Sequence, residues 1–225
     1  MTSSTTLVSA HRCLTREAIE AAIALGADFV EFDVQRCADG SLVLLHDPVD
    51  VAPPGTLGYA EALALLAGRT RLHLALKVEG GEIAVVDQAV RRLGADQLLV
   101  TTLDDHGVRA IRDWADAEGH DLLVGLSLGR GVRDIPVLHG VRIRLTELFP
   151  RRRYRDAGAN LAVAHHWLAR LRVRRFARRH RLPLLVWTVD TPRSLAYWLR
   201  PRRAWLVTTN EPALALALRA GRLAP

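Results

Sequence analysis

From Asp28 to Arg36 apolar and polar residues alternate, which is the rhythm of a β-strand. Val30, Phe32 and Val34 fall on one face of it, and Glu31 and Asp33 on the other. Similar short apolar runs are predicted as strands at 6–12, 42–47, 71–79, 97–103, 121–129, 160–167, 182–190 and 204–210. Between them lie segments of helical spacing, at 16–26, 56–68, 82–94, 104–119, 169–181, 191–200 and 211–221. Several of these start after Asp, Thr or Ser, and several stop at Gly. The stretch up to Gly158 carries no clear periodicity. Repeated strand–helix units with apolar strands predict a parallel sheet covered on both faces. About eight such units in 225 residues predict a closed (β/α)8 TIM barrel. The alternative, an open doubly wound sheet, lacks a glycine-rich phosphate loop after its first strand. No linker or break in composition interrupts the pattern, so residues 1–225 are expected to form one domain.

The polar residues gather where strands end, which is where such barrels place their chemistry. His11 and Arg12 end the first strand, and Glu31 and Asp33 stand late on the second. His46 and Asp47 follow the next apolar run. Lys77 and Glu79 close the strand at 71–79, and Trp187 and Asn210 close later ones. Two carboxylates facing one point repel unless a cation, a shared proton or an arginine neutralises them. Mg2+ and Ca2+ take oxygen ligands of this kind. His11 and His46 are candidates for a general base and a general acid. Arg12 and Lys77 are candidates for holding an anionic oxygen. Carboxylates, acid, base and cations together point to phosphoryl chemistry. His73, deeper on its strand, is expected to be a hydrogen-bonded interior residue.

Composition narrows the setting. No run approaches a membrane span, and the N-terminus has no apolar core of a secretory signal. Two cysteines, Cys13 and Cys37, do not make a disulfide framework, so a cytoplasmic location is expected. The net charge is +7, carried almost wholly by arginine, since Lys77 is the only lysine. The arginines cluster at 151–155 and 170–181. Either they meet an anionic surface or they form a solvated helix face. No aromatic residues interleave to stack bases, so no nucleic-acid partner is expected.

In order, "AHR", "GADFVEFDV" and "DGSLVLLHDP" resemble the HR…ExD…HD signature of the glycerophosphodiester phosphodiesterases, which are TIM barrels of the phospholipase-C-like phosphodiesterase type. "LPLLVWTVD" and "LVTTNEP" are similar to later strands of that family. The resemblance implies Glu31 and Asp33 as metal ligands and His11 and His46 as the acid–base pair. It implies Arg12 and Lys77 on the phosphate, with Trp187 lining the pocket. The implied substrate is a small glycerophosphodiester, cleaved to glycerol 3-phosphate and an alcohol such as choline or ethanolamine, in glycerophospholipid catabolism. Three positions depart from the family pattern. Cys13 and Ala75 stand where the family has glutamates, and Asn210 where it has aspartate. Alanine cannot bind a cation, which leaves Glu79 or Asp47, and more remotely Glu17, as a third ligand. Three expectations remain open: a metal-assisted phosphodiesterase, a metal-independent enzyme of the phospholipase C kind, and a non-catalytic member that binds a phosphodiester or a partner protein.

Overall fold

The structure is a computed structural model that describes residues 5–78, 80–129 and 150–223. Eight parallel strands close into a barrel. They are β1 (Leu7–Ala10), β2 (Phe29–Arg36), β4 (Arg71–Leu76), β5 (Leu98–Thr102), β6 (Leu123–Leu128), β7 (Leu161–His165), β8 (Leu184–Trp187) and β9 (Leu206–Thr209). Pairing of Ser9 with Phe29 and of Ala10 with Val30 closes β1 onto β2. A further strand, β3 (Leu42–Leu44), lies antiparallel on β2 outside the ring. The predicted run 42–47 is therefore a strand only at its start. His46 and Asp47 sit in the loop beyond, tied down where Gln35 Nε2 donates to the His46 carbonyl at 3.1 Å.

Around the barrel run α1 (Arg16–Ala24), α2 (Tyr59–Leu66), α3 (Glu82–Leu93), α4 (Asp105–Ala117) and α5 (Arg151–Ala157). They continue as α6 (His166–Leu168), α7 (Arg174–His180), α8 (Pro192–Trp198) and α9 (Pro212–Arg219). Thr15, Asp104 and Thr191 cap α1, α4 and α8 with side-chain oxygens, as their positions before apolar periodic runs predict. The aperiodic stretch before Gly158 contains α5, whose buried Tyr154 hydroxyl donates to the Leu126 carbonyl and accepts the Val163 N–H. It thereby links β6 to β7. The predicted strand 160–167 ends at His165, because His166 begins a helix. The predicted helix 169–181 opens with a π-helical turn, Ala169–Val173. The wider turn lines up Ala169, Val173 and Ala177, spaced four apart, against the barrel.

Two apolar regions hold this together. One lies between strands and helices and includes Val30, Phe32 and Val34. The other plugs the barrel's lower interior with Phe29, Leu99, Leu161, Val163, Leu185 and Leu206. Above that plug the inward side chains become polar: Ser9, Glu31, His73, Thr101 and Thr208 are all buried. The barrel is thus apolar at its floor and polar toward the strand C-termini. Gly125 makes room for the plug, because a Cβ there would overlap Val163 Cγ2. Gly125→Ala is expected to cost about 1–3 kcal/mol. That is a melting temperature lower by about 2–4 °C per kcal/mol, checked by thermal unfolding.

Candidate active site

A cavity of about 730 Å3 opens at the C-terminal ends of the strands. His11, Arg12, Glu31, Asp33, His46, Lys77 and Trp187 all line it. Period two on β2 sends Glu31 and Asp33 inward, each 3 % exposed. Register sets Glu31 beside His73 and Asp33 beside Ala75, so β4 offers no carboxylate at either level. His73 is the interior residue expected: its nitrogens lie 3.3 Å from Ser9 Oγ and 3.0 Å from Thr101 Oγ1. Burial, helped by nearby His11, pushes its pKa down to about 3, so it is a neutral part of the cavity wall.

Arg12 shapes the turn after β1. Its φ of 53° is left-handed, a conformation that costs energy for a non-glycine residue. The turn aims the Arg12 N–H at Glu31 Oε2, 2.5 Å away, while Cys13 N–H donates to the Glu31 carbonyl at 2.8 Å. The Arg12 guanidinium reaches across the mouth to His46 Nε2 at 2.6 Å. On its other side His46 donates from Nδ1 to Asp47 at 2.7 Å. Cys13 is buried, and desolvation followed by the Glu31 charge pushes its thiol up to about 12. It serves as a packing residue.

The carboxylates carry the site's electrostatic tension. Burial, and then the Asp33 charge, push the Glu31 pKa up to about 8. The Arg12 N–H, Lys77 and the Arg12 charge work the other way. Lys77 Nζ stands 3.4 Å from Asp33 Oδ1. Among the described residues, three buried side-chain polar atoms make no hydrogen bond: Asp33 Oδ2, Trp187 Nε1 and Thr208 Oγ1. All three belong to residues lining this cavity. An unsatisfied buried polar atom costs about 1–3 kcal/mol, so these three are an energetic cost concentrated in the residues of this wall.

His11 is held by a chain of groups that sequence patterning does not connect to it. Its Nδ1–H donates to Asn210 Oδ1 at 2.8 Å, and Asn210 Nδ2 donates to Asp190 Oδ2 at 2.7 Å. Asp190 also accepts from the Asn210 backbone N–H at 2.9 Å. The available signal is the pairing of adjacent strands, since Asp190 follows β8 as Asn210 follows β9. The bond to Asn210 fixes the tautomer that leaves Nε2 as the acceptor, 4.0 Å from Glu31 Oε2. Burial lowers the His11 pKa, outweighing the Asn210 bond. Asn210→Asp would set a carboxylate against Nδ1–H, which favours the imidazolium and is expected to raise that pKa. NMR titration of the His11 ring measures it.

Of the third-ligand candidates, Asp47 is not brought to the carboxylate pair. Asp47 is turned outward, its side chain 87 % exposed, and holds His46. Glu79 lies outside the described residues. Among the described residues no three His, Cys, Asp or Glu side chains converge as a metal cage. His165 packs edge-on against Trp187, ring centroids 5.5 Å apart, at the rim.

Residues 11–65, which bear His11, Arg12, Glu31, Asp33, His46 and Asp47, match the Glycerophosphoryl diester phosphodiesterase family. Over this segment, about a quarter of its length, the chain is similar to that family. Lys77 and Trp187 lie beyond the matched segment. No curated protein sequence matches the chain. Solved structures show the same fold at low identity. A glycerophosphodiester phosphodiesterase from Parabacteroides distasonis is 17% identical, with a TM-score of 0.73 over 96% of this chain and 98% of that one. One from Agrobacterium tumefaciens is 18% identical, with a TM-score of 0.70 over 94% and 99%. A phosphodiesterase from Oleispira antarctica, in complex with the product sn-glycerol-3-phosphate, is 16% identical, with a TM-score of 0.69 over 95% and 96%.

Proposed function

We propose that the protein hydrolyses glycerophosphodiesters to glycerol 3-phosphate and an alcohol. The observation that carries this is the cavity wall itself. A cationic pair and two histidines with oppositely equipped partners line one space of small-molecule size. Arg12 and Lys77 bind the diester's anionic oxygens, and Arg12 gives up its contact with His46 as it does so. His11 takes the proton of an attacking water at Nε2, because Asn210 holds the other ring nitrogen. The water oxygen bonds to phosphorus, and the bond from phosphorus to the alcohol oxygen breaks. His46, at the open side of the mouth with Asp47 to balance an imidazolium, gives a proton to that oxygen. Solvent restores both histidines.

A divalent cation fits the donor set. Glu31 and Asp33 are buried together, and Asp33 Oδ2 has no partner. Two carboxylates, with the rest of the shell from water and substrate phosphate, is how Mg2+ is commonly bound. Ca2+, which takes roughly 6–8 oxygen ligands, is less well served. When bound, the cation would neutralise the pair and stabilise charge on the phosphoryl oxygens. A second reading is favoured by one observation: Lys77 already stands against Asp33 and Arg12 against His46, so protein cations supply positive charge without a metal.

The experiment is release of glycerol 3-phosphate from glycerophosphocholine and glycerophosphoethanolamine, with Mg2+ and with EDTA. Turnover lost in EDTA supports the metal-assisted route. EDTA-insensitive turnover that needs both histidines supports the second. No turnover from the folded protein on either diester contradicts both and leaves a binding protein.

A further inference from the structure

The segment from His166 to His180 has an outward face as ordered as its inward one. Ala169, Val173 and Ala177 point in and are buried. With the same spacing of four, Trp167, Leu171, Arg175 and Arg179 form the opposite stripe, and all four are exposed. Trp167 is 65% exposed and Leu171 70%, the two large apolar side chains that this segment leaves to water. Seven arginines fall between residues 170 and 181, and no Asp or Glu occurs between Asp156 and Asp190. Arg170 is occupied, lying over the Tyr197 ring at 4.8 Å. Arg175 and Arg179, with Arg151, line an outer cavity of about 450 Å3 shared with Phe176 and His180. Among the described residues no carboxylate pairs with Arg175 or Arg179.

We propose that this stripe docks on an anionic bilayer surface beside the mouth of the barrel. Trp167 and Leu171 give one end of the stripe an apolar pair, and a tryptophan is suited to the depth of lipid headgroups. The arginines give the other end charges that match phosphate groups. A bilayer presents hydrocarbon and phosphate together, whereas a nucleic-acid backbone gives Leu171 nothing apolar to meet. Position argues the same way. The segment starts one residue after His165, which packs on Trp187 in the cavity wall. Docking therefore sets the cavity opening next to the lipid surface, within reach of diesters released there. The docking does not depend on the hydrolytic assignment, because binding is read without turnover.

The test is flotation of the full chain with vesicles of phosphatidylcholine alone and of phosphatidylcholine mixed with phosphatidylglycerol. The wild type is expected to float with the mixed vesicles and not with the neutral ones, and to be released by high salt. Trp167→Ala with Leu171→Ala is expected to weaken partition by about tenfold or more. Arg175→Gln with Arg179→Gln is expected to weaken it about 25-fold, roughly fivefold per charge. All four residues are exposed, so circular dichroism and hydrolysis of soluble diesters should be unchanged in these variants. Equal partition into neutral and anionic vesicles, or no loss in the Trp167–Leu171 variant, would overturn the proposal. So would tighter binding to a single-stranded oligonucleotide that ignores Trp167→Ala.

Discussion

His46→Ala lowers kcat for glycerophosphocholine by about a hundred- to ten-thousand-fold, the range that a positioned acid or base supplies. The expectation rests on where His46 stands. It sits on a loop at the open side of the cavity, held at its carbonyl by Gln35 and at Nδ1 by Asp47. Its other nitrogen faces Arg12, the residue proposed to hold the phosphate. In the proposed reaction, a proton given from there goes to the leaving oxygen. Asp47 acts through His46 and is mostly in solvent, so Asp47→Asn should cost much less. Steady-state kinetics separate the two roles. The His46 variant should lose kcat with little change in KM, while Arg12→Ala should raise KM as well. A His46→Ala enzyme at wild-type rate would remove the acid from the mechanism.

Glu31→Gln should make the protein more stable at pH 8 and far less active. Burial and Asp33 push the Glu31 carboxyl up to about 8 from an ordinary value near 4.5. Between those values the folded state holds a proton that the unfolded state has lost. Stability therefore falls as pH rises through that window, and the full penalty is felt above about 8. Glutamine keeps the shape and the contact with the turn after β1 without the charge. Every tenfold difference in proton affinity between the folded and unfolded states is worth about 1.4 kcal/mol. The melting temperature of the variant at pH 8 should therefore exceed the wild type's by several degrees, with the gap closing toward pH 5. Mg2+ should raise the wild type's melting temperature at pH 8 and leave the variant's unmoved, because the cation would answer the same charge. Melting curves across pH, with and without Mg2+, check both halves. A variant less stable than wild type at pH 8 would mean that Glu31 is already neutralised by Lys77 and Arg12.

Much of the fold and the site is legible in the chain alone, and the reasons are local. Alternation on β2 is enough to send Glu31 and Asp33 inward, because a strand has only two faces and Val30, Phe32 and Val34 claim the other. Eight strand–helix units are enough for the barrel, since parallel strands need covered crossovers. What escapes depends on pairing across distance. Asn210 meets His11 from 199 positions away, and Asp190 joins them because β8 and β9 end side by side. Ser9 and Thr101 satisfy His73 from separate strands. Asp47 resembles a ligand because it follows His46, yet the turn of the loop gives its carboxylate to His46 instead. The arginine-rich stretch is periodic enough to be predicted as a helix over 169–181. The π turn that aligns Trp167 and Leu171 with Arg175 adds a residue that an α-helical wheel does not anticipate.

The decisive measurement is 31P NMR of glycerophosphocholine incubated with the purified chain and Mg2+, beside the His11→Ala–His46→Ala variant. The wild type should convert the diester resonance to that of a phosphomonoester, glycerol 3-phosphate, and the double variant should leave the diester intact. A diester resonance unchanged by folded wild-type protein, or consumed equally by the double variant, would contradict two-histidine hydrolysis in this barrel.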